Sequence, residues 1–147
     1  MPLIRLNIAY MRVAHKDQNV RLGVQKESTA ITMQRGSIYR YLQEHPEFAS
    51  GLIEIVDDGY TGSKFDGPGI KKVLQLVELD CVANIIVSDI ARFSRNHIEA
   101  AHYLHEVFPV HNTRLITVDE DTDWNNYDWS QCRKHPHQAV LNEPWRG

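Results

Sequence analysis

The sequence has little cysteine, no long apolar run and no excess of positive charge, and each absence excludes a class of protein. Its two cysteines, Cys81 and Cys132, can form at most one bridge, so a disulfide-stapled scaffold is excluded and a reducing compartment is expected. No apolar run approaches the roughly 20 residues that a membrane-spanning helix needs, so no membrane partner is expected. The N-terminus carries an early Arg5 and lacks the apolar core of a signal peptide, which predicts a cytoplasmic protein.

The charge balance excludes a broad basic surface. Lys and Arg number 16 against 19 Asp and Glu, and the formal net charge is -3. A self-sufficient nucleic-acid-binding domain has the opposite balance, although local basic clusters are compatible with this one. The chain does contain the material for a core, since 42% of its 147 residues are hydrophobic, and its length suits one compact domain.

Strand and helix patterns alternate along the chain. Helical spacing of apolar residues predicts three helices, over Ala30–His45, over Pro68–Leu79, and from a cap at Asn96 to a stop at Pro109. Apolar runs and alternation predict four strands, at Leu3–Val13, Leu52–Val56, Val82–Val87 and Leu115–Val118. This order predicts an α/β fold with an open, mostly parallel sheet of about four to five strands and helices on both faces.

The domain is expected to span residues 1–123, followed by an irregular or truncated tail over 124–147. Two long polar segments interrupt the regular patterns. The first, His15–Thr29, has no clear period, and a loop of that length inside a compact domain is usually functional. The second, which begins at Asp57, is dense in glycine and aspartate and is expected to be a mobile loop.

Arginines follow the carboxyl ends of two predicted strands, where open α/β sheets bind their ligands. Arg12 ends the first strand, and Arg92 and Arg95 follow the third, three residues apart near a predicted helix start, where they are expected to share a face. A guanidinium donates paired, charge-assisted hydrogen bonds to phosphate, so these residues predict an anion site. Taken alone, Arg92 and Arg95 are also compatible with ordinary surface ion pairs to Asp89 or Glu99.

Several short motifs, which follow one another in a characteristic order and spacing, resemble those of the serine site-specific recombinases. These are the resolvases and invertases, and the resemblance is strongest to their large transposon-type branch. The resemblance runs from about Ile8 to Asp123. Each motif is weak alone, and the set is specific. The motifs are Tyr10 to Val13 (YMRV), Gln34, Asp58 to Gly62 (DGYTG), Phe65 and Asp66 before Pro68 and Gly69, Asp89 to Asn96 (DIARFSRN), and His102 to Pro109 (HYLHEVFP).

The resemblance implies a resolvase-like catalytic domain and a metal-free reaction with no cofactor. In that family a serine after the first strand attacks a DNA phosphodiester to give a 5′-phosphoserine link, while arginines neutralise the phosphoryl charge. It implies DNA backbone phosphates as the ligand, and a homo-oligomer or pairing with an active recombinase. Motif alignment places Arg12, Arg92 and Arg95 on the phosphate-contacting arginines, Gln34 on the active-site glutamine and Asp58 on a supporting acid.

Three departures from the family pattern concern the chemistry itself. Ala14 stands at the nucleophile position, and a methyl group cannot attack phosphorus. Gly67 replaces another active-site arginine, and Ala91 replaces the acid or serine that precedes Arg92. The domain is therefore expected to be inactive in strand cleavage. The alternative to a decayed enzyme is a non-catalytic pseudo-recombinase that acts by binding DNA phosphates or a partner.

Two metal-dependent alternatives follow from the acidic and tail residues. A magnesium-dependent phosphoryl-transfer enzyme would use the carboxylates of Asp57, Asp58 and Asp119, with Asp121 and Asp123 nearby. A transition-metal site would use the tail residues Cys132, His135 and His137, but no second pair of ligands at finger-like spacing accompanies them.

Overall fold

The strands form one sheet in the computed structural model, which describes residues 5–61, 65–119 and 122–123. Their bounds are β1 Leu6–Val13, β2 Leu52–Asp58, β3 Val82–Val87, β4 Arg114–Thr117 and β5 Thr122–Asp123. The spatial order is β2-β1-β3-β4-β5, with β1 parallel to β2 and β3, β3 parallel to β4, and only the short β5 antiparallel. The predicted open, mostly parallel sheet is confirmed. The predicted tail over 124–147 lies outside the described residues.

Three longer helical regions connect the strands, with shorter turns between them. Their bounds are α1 Gln18–Arg21, α2 Thr29–Glu44, α3 Pro68–Glu78, α4 Ile90–Phe93, α5 His97–His102 and α6 Phe108–Val110. A 3-10 turn, Pro46–Phe48, follows α2, and a π-helical segment, Tyr103–Val107, joins α5 to α6. Among the described residues, no helix has the length and apolar character to cross a membrane.

The sheet is covered on both faces, as predicted. Successive side chains of β1 point to opposite faces, so Ile8 and Tyr10 enter one apolar cluster and Ala9 and Met11 enter the other. The first cluster packs against α3 and the α5–α6 region, and the second packs against α2. Because β1 is buried on both sides, it provides a fixed base for whatever follows Val13.

The predicted helix of residues 68–79 is confirmed nearly to the residue. Pro68 occupies the first turn, where its missing N–H has no helical partner to lose. The apolar stripe predicted from helical spacing is buried as a unit against the sheet. Its members are Ile70, Val73, Leu74 and Val77.

The predicted start of the helix after β3 is corrected. Arg92 and Arg95 do not share a helix face, because α4 ends at Phe93 and Ser94 is extended, with φ -159° and ψ 143°. The hydroxyl of Ser94 bonds to the backbone of Asn96, and such local bonds compete with helix continuation. Asn96 then caps α5, as predicted, by accepting from the N–H groups of the second and third helical residues.

The predicted stop at Pro109 is also corrected, since the chain stays helical through Val110. The register changes to a π-helix over Tyr103–Val107, and Pro109 then falls in the first turn of α6. Pro109 lacks the N–H that would bond to the preceding turn, and the wider π-helical turn lies directly before it. The turn at α1 is a further difference, since the sequence predicted no regular structure in that loop.

The sheet order determines where a site can form. β1 lies between β2 and β3, so the chain leaves β1 to one side and later returns to the other side. In open α/β sheets a crevice opens at the carboxyl ends of the two strands that flank such a reversal. Here those strands are β1, which ends after Arg12, and β3, which is followed by Asp89 and Arg92.

Candidate phosphate-binding site

Gln34 of α2 completes the backbone pairing of β1 where β3 no longer pairs with it. The β1–β3 ladder ends at the Ala9 and Ile86 pair. Beyond it, Gln34 Oε1 accepts from the N–H of Arg12 at 3.1 Å, and Gln34 Nε2 donates to the carbonyl of Arg12 at 2.9 Å. The side-chain amide thus replaces a neighbouring strand. Gln34 is only 5% exposed and fixes the backbone that carries Arg12.

The guanidinium of Arg12 is buried, with 2% of the residue exposed, and it binds backbone rather than solvent. It donates to the carbonyls of Tyr60 at 2.8 Å, Ala91 at 2.5 Å and Arg92 at 3.2 Å. Arg12 therefore ties β1 to the loop after β2 and to α4. A phosphate can bind this guanidinium only where those bonds open, so its contact with phosphate stays a prediction.

Positive charges do converge on this edge of the sheet. Burial lowers the pKa of Arg12, and the nearby positive charges of Arg92 and Arg95 lower it as well. Arg92 Nη1 also lies 3.5 Å from the carbonyl of Arg12. Arg12 and Arg92 are therefore in contact, while a phosphate site shared by all three arginines stays a prediction.

Asp89 holds the segment that carries Arg92. One carboxylate oxygen accepts from the N–H of Ala91 at 3.1 Å and caps α4, while the other lies 3.4 Å from Arg92 Nε. Arg92 thus forms the ion pair with Asp89 that the sequence left open as an alternative, and its side chain is still 32% exposed. Arg95 lies beyond the helix break and is exposed to solvent.

A small pocket of about 210 Å³ lies beside Gln34, between α2 and the carboxyl ends of β3 and β4. Arg92 faces it together with Asp89 and Asp119. Burial raises the pKa of Asp119, and the negative charge of Asp89 raises it further. An anion entering this pocket therefore meets one guanidinium and two carboxylates.

Asp58 supports the long loop between β1 and α2. Its two oxygens accept from the N–H of Ser28 at 2.9 Å and from the hydroxyl of Ser28 at 2.6 Å. Ser28 is fully buried, and its Oγ accepts from the N–H of Asp17 at 2.8 Å. Asp17 in turn accepts from the N–H of Thr29 at 2.7 Å, so the two ends of the loop are joined. This geometry agrees with a supporting role for Asp58.

Asp57 points to the opposite face and is fully engaged there. It is 1% exposed and accepts from the hydroxyl of Tyr10 at 2.6 Å and from the N–H groups of Gly69 and Ile70 at 2.7 Å and 2.8 Å. Burial and the bond to Asp57 raise the pKa of Tyr10, which stays a neutral donor. Asp57 is thus the acceptor at the N-terminus of α3.

Gly67 leaves room for that carboxylate. A Cβ built on Gly67 would lie 2.6 Å from Asp57 Cγ, closer than real side chains approach. The family pattern has an arginine at position 67, and any side chain there would displace the Asp57 carboxylate that binds the first turn of α3. A glycine at position 67 therefore goes together with the buried position of Asp57.

Ala14 lies in a separate cavity of about 570 Å³. Asp58 and the Gly59–Tyr60 turn form one part of its wall, and Lys16 and Arg21 form another. None of Arg12, Arg92 and Arg95 lines it. The structure thus divides the predicted site residues into two adjoining groups, one around Arg12 and one around Ala14.

The described residues do not assemble the carboxylates of the magnesium alternative. Asp57 and Asp58 are neighbours on β2 and face opposite sides, each occupied by the donors given above. Within residues 5–61, 65–119 and 122–123, no group of three or more His, Cys, Asp or Glu could hold a metal ion. Asp121 and the tail residues Cys132, His135 and His137 lie outside the described residues.

The sheet order, with polar residues at the carboxyl ends of β1 and β3, defines an open α/β domain with a candidate site at that edge. A family model described as the N-terminal domain of resolvases matches residues 7–132. The chain therefore belongs to the resolvase family of serine recombinases, and the match is to that family's N-terminal domain. No curated protein matches the chain.

Solved structures share this fold at low sequence identity. The N-terminal catalytic domain of TP901-1 integrase gives a TM-score of 0.66 at 19% identity and covers 95% of each chain. A resolvase family site-specific recombinase from Streptococcus pneumoniae gives 0.63 at 16% identity, covering 97% of this chain and 91% of that one. The C-terminal catalytic domain of ISC1926 TnpA, an IS607-like serine recombinase, gives 0.54 at 20% identity, covering 78% and 70%.

Sequence reasoning missed the residues that organise the site from a distance. Ser28 was not assigned its link between Asp58 and the loop, although a serine just before a helical pattern is a common cap signal. Lys16 and Arg21 carried no motif. Lys16 follows Ala14 by two residues, and the fold of the loop brings Arg21 to the same cavity.

Proposed function

We propose that this domain binds DNA through backbone phosphates, as a serine recombinase catalytic domain does, but does not cleave it. The observation that carries the proposal is the contact of Arg12 with Ala91 and Arg92, with Arg95 three residues further along the chain, together with Ala14 where the family pattern has serine. Arginines neutralise a phosphodiester without a metal ion, while the missing hydroxyl removes the nucleophile.

The side chains divide into ligands and positioning residues. Arg92 and Arg95 are the arginines with solvent access and would contact the phosphate. Arg12, Gln34 and Asp58 hold the backbone around them, through bonds to Ala91, Arg92, Tyr60 and the loop before α2. Gly67 offers no guanidinium, and loss of one charge donor typically costs about 10²–10³-fold in rate.

The first prediction concerns the missing hydroxyl. We expect the unaltered chain to bind labelled duplex DNA and to leave no covalent adduct on a denaturing gel. Ala14→Ser should form an adduct, slowly, because Gly67 still lacks an arginine side chain. Ala49→Ser, an exposed alanine in the turn after α2, is the matched control and should form none.

Two results would count against this proposal. Absence of salt-dependent DNA binding by the unaltered chain contradicts the DNA-binding function. An Ala14→Ser protein that binds DNA but remains indistinguishable from Ala49→Ser after prolonged incubation contradicts the assignment of Ala14 to the nucleophile position.

A second candidate is pairing with another copy or with an active recombinase. It is favoured by an open groove of about 670 Å³ between α3 and α5. Its lining is partly apolar, with Phe65, Leu74 and Tyr103, and Ile98 beside it is 64% exposed. Co-purification with an active recombinase supports this candidate, whereas adduct formation by the unaltered chain excludes a purely non-catalytic role.

A further inference from the structure

We propose that Asp89 and Asp119 mask the guanidinium of Arg92, so that the domain binds DNA phosphates more weakly than its arginines allow. The inference rests on the DNA-binding function proposed above and assigns a regulatory role to two acids at the same site. Asp119 sets the strength of this masking, and loss of its charge releases Arg92 to bind a phosphate.

The two acids follow neighbouring strands of the sheet. Backbone pairing of β3 with β4 continues past the last strand residues, because the N–H of Asp119 donates to the carbonyl of Ser88 at 2.9 Å. Asp89 comes directly after Ser88, so the sheet itself places the two acids next to each other. Both line the pocket of about 210 Å³ that Arg92 also lines.

Arg92 is neutralised in this pocket without being tightly bonded. A carboxylate oxygen of Asp89 lies 3.4 Å from Arg92 Nε, which is longer than a normal charge-assisted hydrogen bond. Among the described residues, that buried nitrogen has no hydrogen-bond partner. A phosphate can therefore replace the long ion pair, but two carboxylates against one guanidinium give the pocket a net negative charge that opposes an anion.

Asp119 has charged neighbours on both sides. The ionisable residues that line the two pockets around it are Asp89 and Arg92 after β3 and, on α2, Arg40, Tyr41 and Glu44. Burial and the charge of Asp89 raise the pKa of Asp119, whereas Arg92 and Arg40 lower it, and the net change is upward. Asp119 therefore becomes neutral at a higher pH than an ordinary aspartate.

The two acids differ in what else they do. One carboxylate oxygen of Asp89 caps α4 by accepting from the N–H of Ala91, so replacing Asp89 disturbs the segment that carries Arg92. Asp119 is joined to the sheet through its backbone N–H, which a substitution of the side chain leaves in place. Masking is therefore tested at Asp119.

The test measures the affinity of the whole chain for a labelled random-sequence duplex by fluorescence anisotropy, near physiological salt. Asp119→Asn keeps the shape of the side chain and removes its charge, and it should bind about twofold to fivefold more tightly than the parent, as expected for one partly exposed charge pair.

Glu47→Gln is the matched control, because it removes the same charge from an exposed position in the turn beyond the far end of α2. It should change the affinity by less than about 1.5-fold, since charges further apart than the Debye length of about 8 Å are largely screened.

Two further measurements tie the gain to Arg92 and to the titration of Asp119. In an Arg92→Gln background, Asp119→Asn should give no gain beyond that of Glu47→Gln, because no guanidinium is left to unmask. The ratio of the affinities of Asp119→Asn and the parent should fall towards one as the pH is lowered, because Asp119 of the parent then becomes neutral. Histidines gain charge in both proteins and cancel in this ratio.

The outcomes separate this inference from the proposed function. If Asp119→Asn binds no more tightly than Glu47→Gln while Arg92→Gln weakens binding, the masking is overturned and the proposed function stands. A gain that persists in the Arg92→Gln background, or that stays constant as the pH falls, also overturns the inference. If neither the unaltered chain nor Asp119→Asn shows salt-dependent binding, both are overturned. Thermal unfolding of every variant confirms that the comparison is between folded proteins.

Discussion

Arg12 and Gln34 are both buried, and both bond chiefly to backbone atoms of neighbouring segments. A buried guanidinium or amide is stable only when its hydrogen-bonding groups are satisfied, and here the partners are peptide groups at the ends of β1, β2 and β3. The consequence is a stiff frame, in which Arg92 and Arg95 are placed by residues that do not themselves reach solvent.

Replacing Gln34 tests that frame. Gln34→Ala leaves the buried N–H and carbonyl of Arg12 without their partners, and an unsatisfied buried group costs about 1–3 kcal/mol. We expect a loss of about 2–3 kcal/mol in the free energy of unfolding, measured by urea titration. Gln43→Ala, an exposed glutamine on the same helix, is the control and should change stability by less than about 0.5 kcal/mol. Equal effects of the two changes contradict the bridging role.

Motif spacing was enough to name Arg12, Gln34 and Asp58 as site residues, but not to predict what each one touches. The direction of a side chain at a strand end depends on which loops cover it. The guanidinium of Arg12 bonds to the carbonyls of Tyr60, Ala91 and Arg92, which are 48, 79 and 80 residues away from it. No local pattern carries that information.

The start of α3 depends on an acid from another element. Asp57 of β2 accepts from two of the free N–H groups of the first turn, and a negative charge there also interacts favourably with the helix dipole. The element is thus stabilised at one end by a carboxylate and along its length by a buried apolar stripe. Gly67 is required because the carboxylate occupies the space of a side chain.

Adding a methyl group at Gly67 tests this arrangement. Gly67→Ala places a Cβ about 2.6 Å from Asp57 Cγ, so the carboxylate must move and weaken its bonds to α3. We expect destabilisation by about 2–3 kcal/mol in urea unfolding, in line with overpacking combined with lost hydrogen bonds.

Gly36→Ala is the matched control for that change. Gly36 lies inside α2 with nothing within 4 Å of a built Cβ, so the same methyl group should stabilise the protein by about 0.5–1 kcal/mol. A Gly67→Ala protein as stable as the parent would show that Asp57 is not held against Gly67. The same crowding applies to restoring the family arginine at this position.

At the scale of the whole molecule, a polar cluster joins the loop before α2, α2 itself and β2. Arg35 of α2 pairs with Glu27 and with Glu54, and Tyr39 donates to Glu54. Hydrogen bonds from Tyr39 and Arg35 hold the pKa of Glu54 below its usual range. Partial burial raises the pKa of Glu27, but bonds from Arg35 and Thr32 outweigh it and lower the net value.

These lowered pKa values predict a pH dependence of stability. A carboxyl whose pKa is lower in the folded state stabilises the fold above its unfolded pKa, and this stability is lost as the pH falls through the folded pKa. Arg35→Gln should therefore lower the free energy of unfolding by about 0.5–1 kcal/mol at neutral pH, with a difference that shrinks in acid. Lys72→Gln, which removes one positive charge from an exposed position of α3 outside this cluster, should show no such pH-dependent difference. A gap between Arg35→Gln and the parent that persists in acid contradicts this account.

The sequence by itself determined the alternation of strands and helices, the parallel sheet, the burial of the α3 stripe, the family motifs and the absence of a hydroxyl at residue 14. The fold features follow from the periodicity of apolar residues, and the motifs follow from the local order of residues. Both can be determined from the sequence without knowing which segments are in contact. Tertiary structure alone decided that Arg12 binds carbonyls, that Ser94 separates Arg92 from Arg95, and that Lys16 and Arg21 meet Ala14 in one cavity. The contacts of Arg12 depend on segments far apart in the chain, which meet only when the sheet and its loops pack together. The break at Ser94 and the placement of Lys16 and Arg21 depend on local hydrogen bonds and loop geometry, which apolar periodicity does not encode.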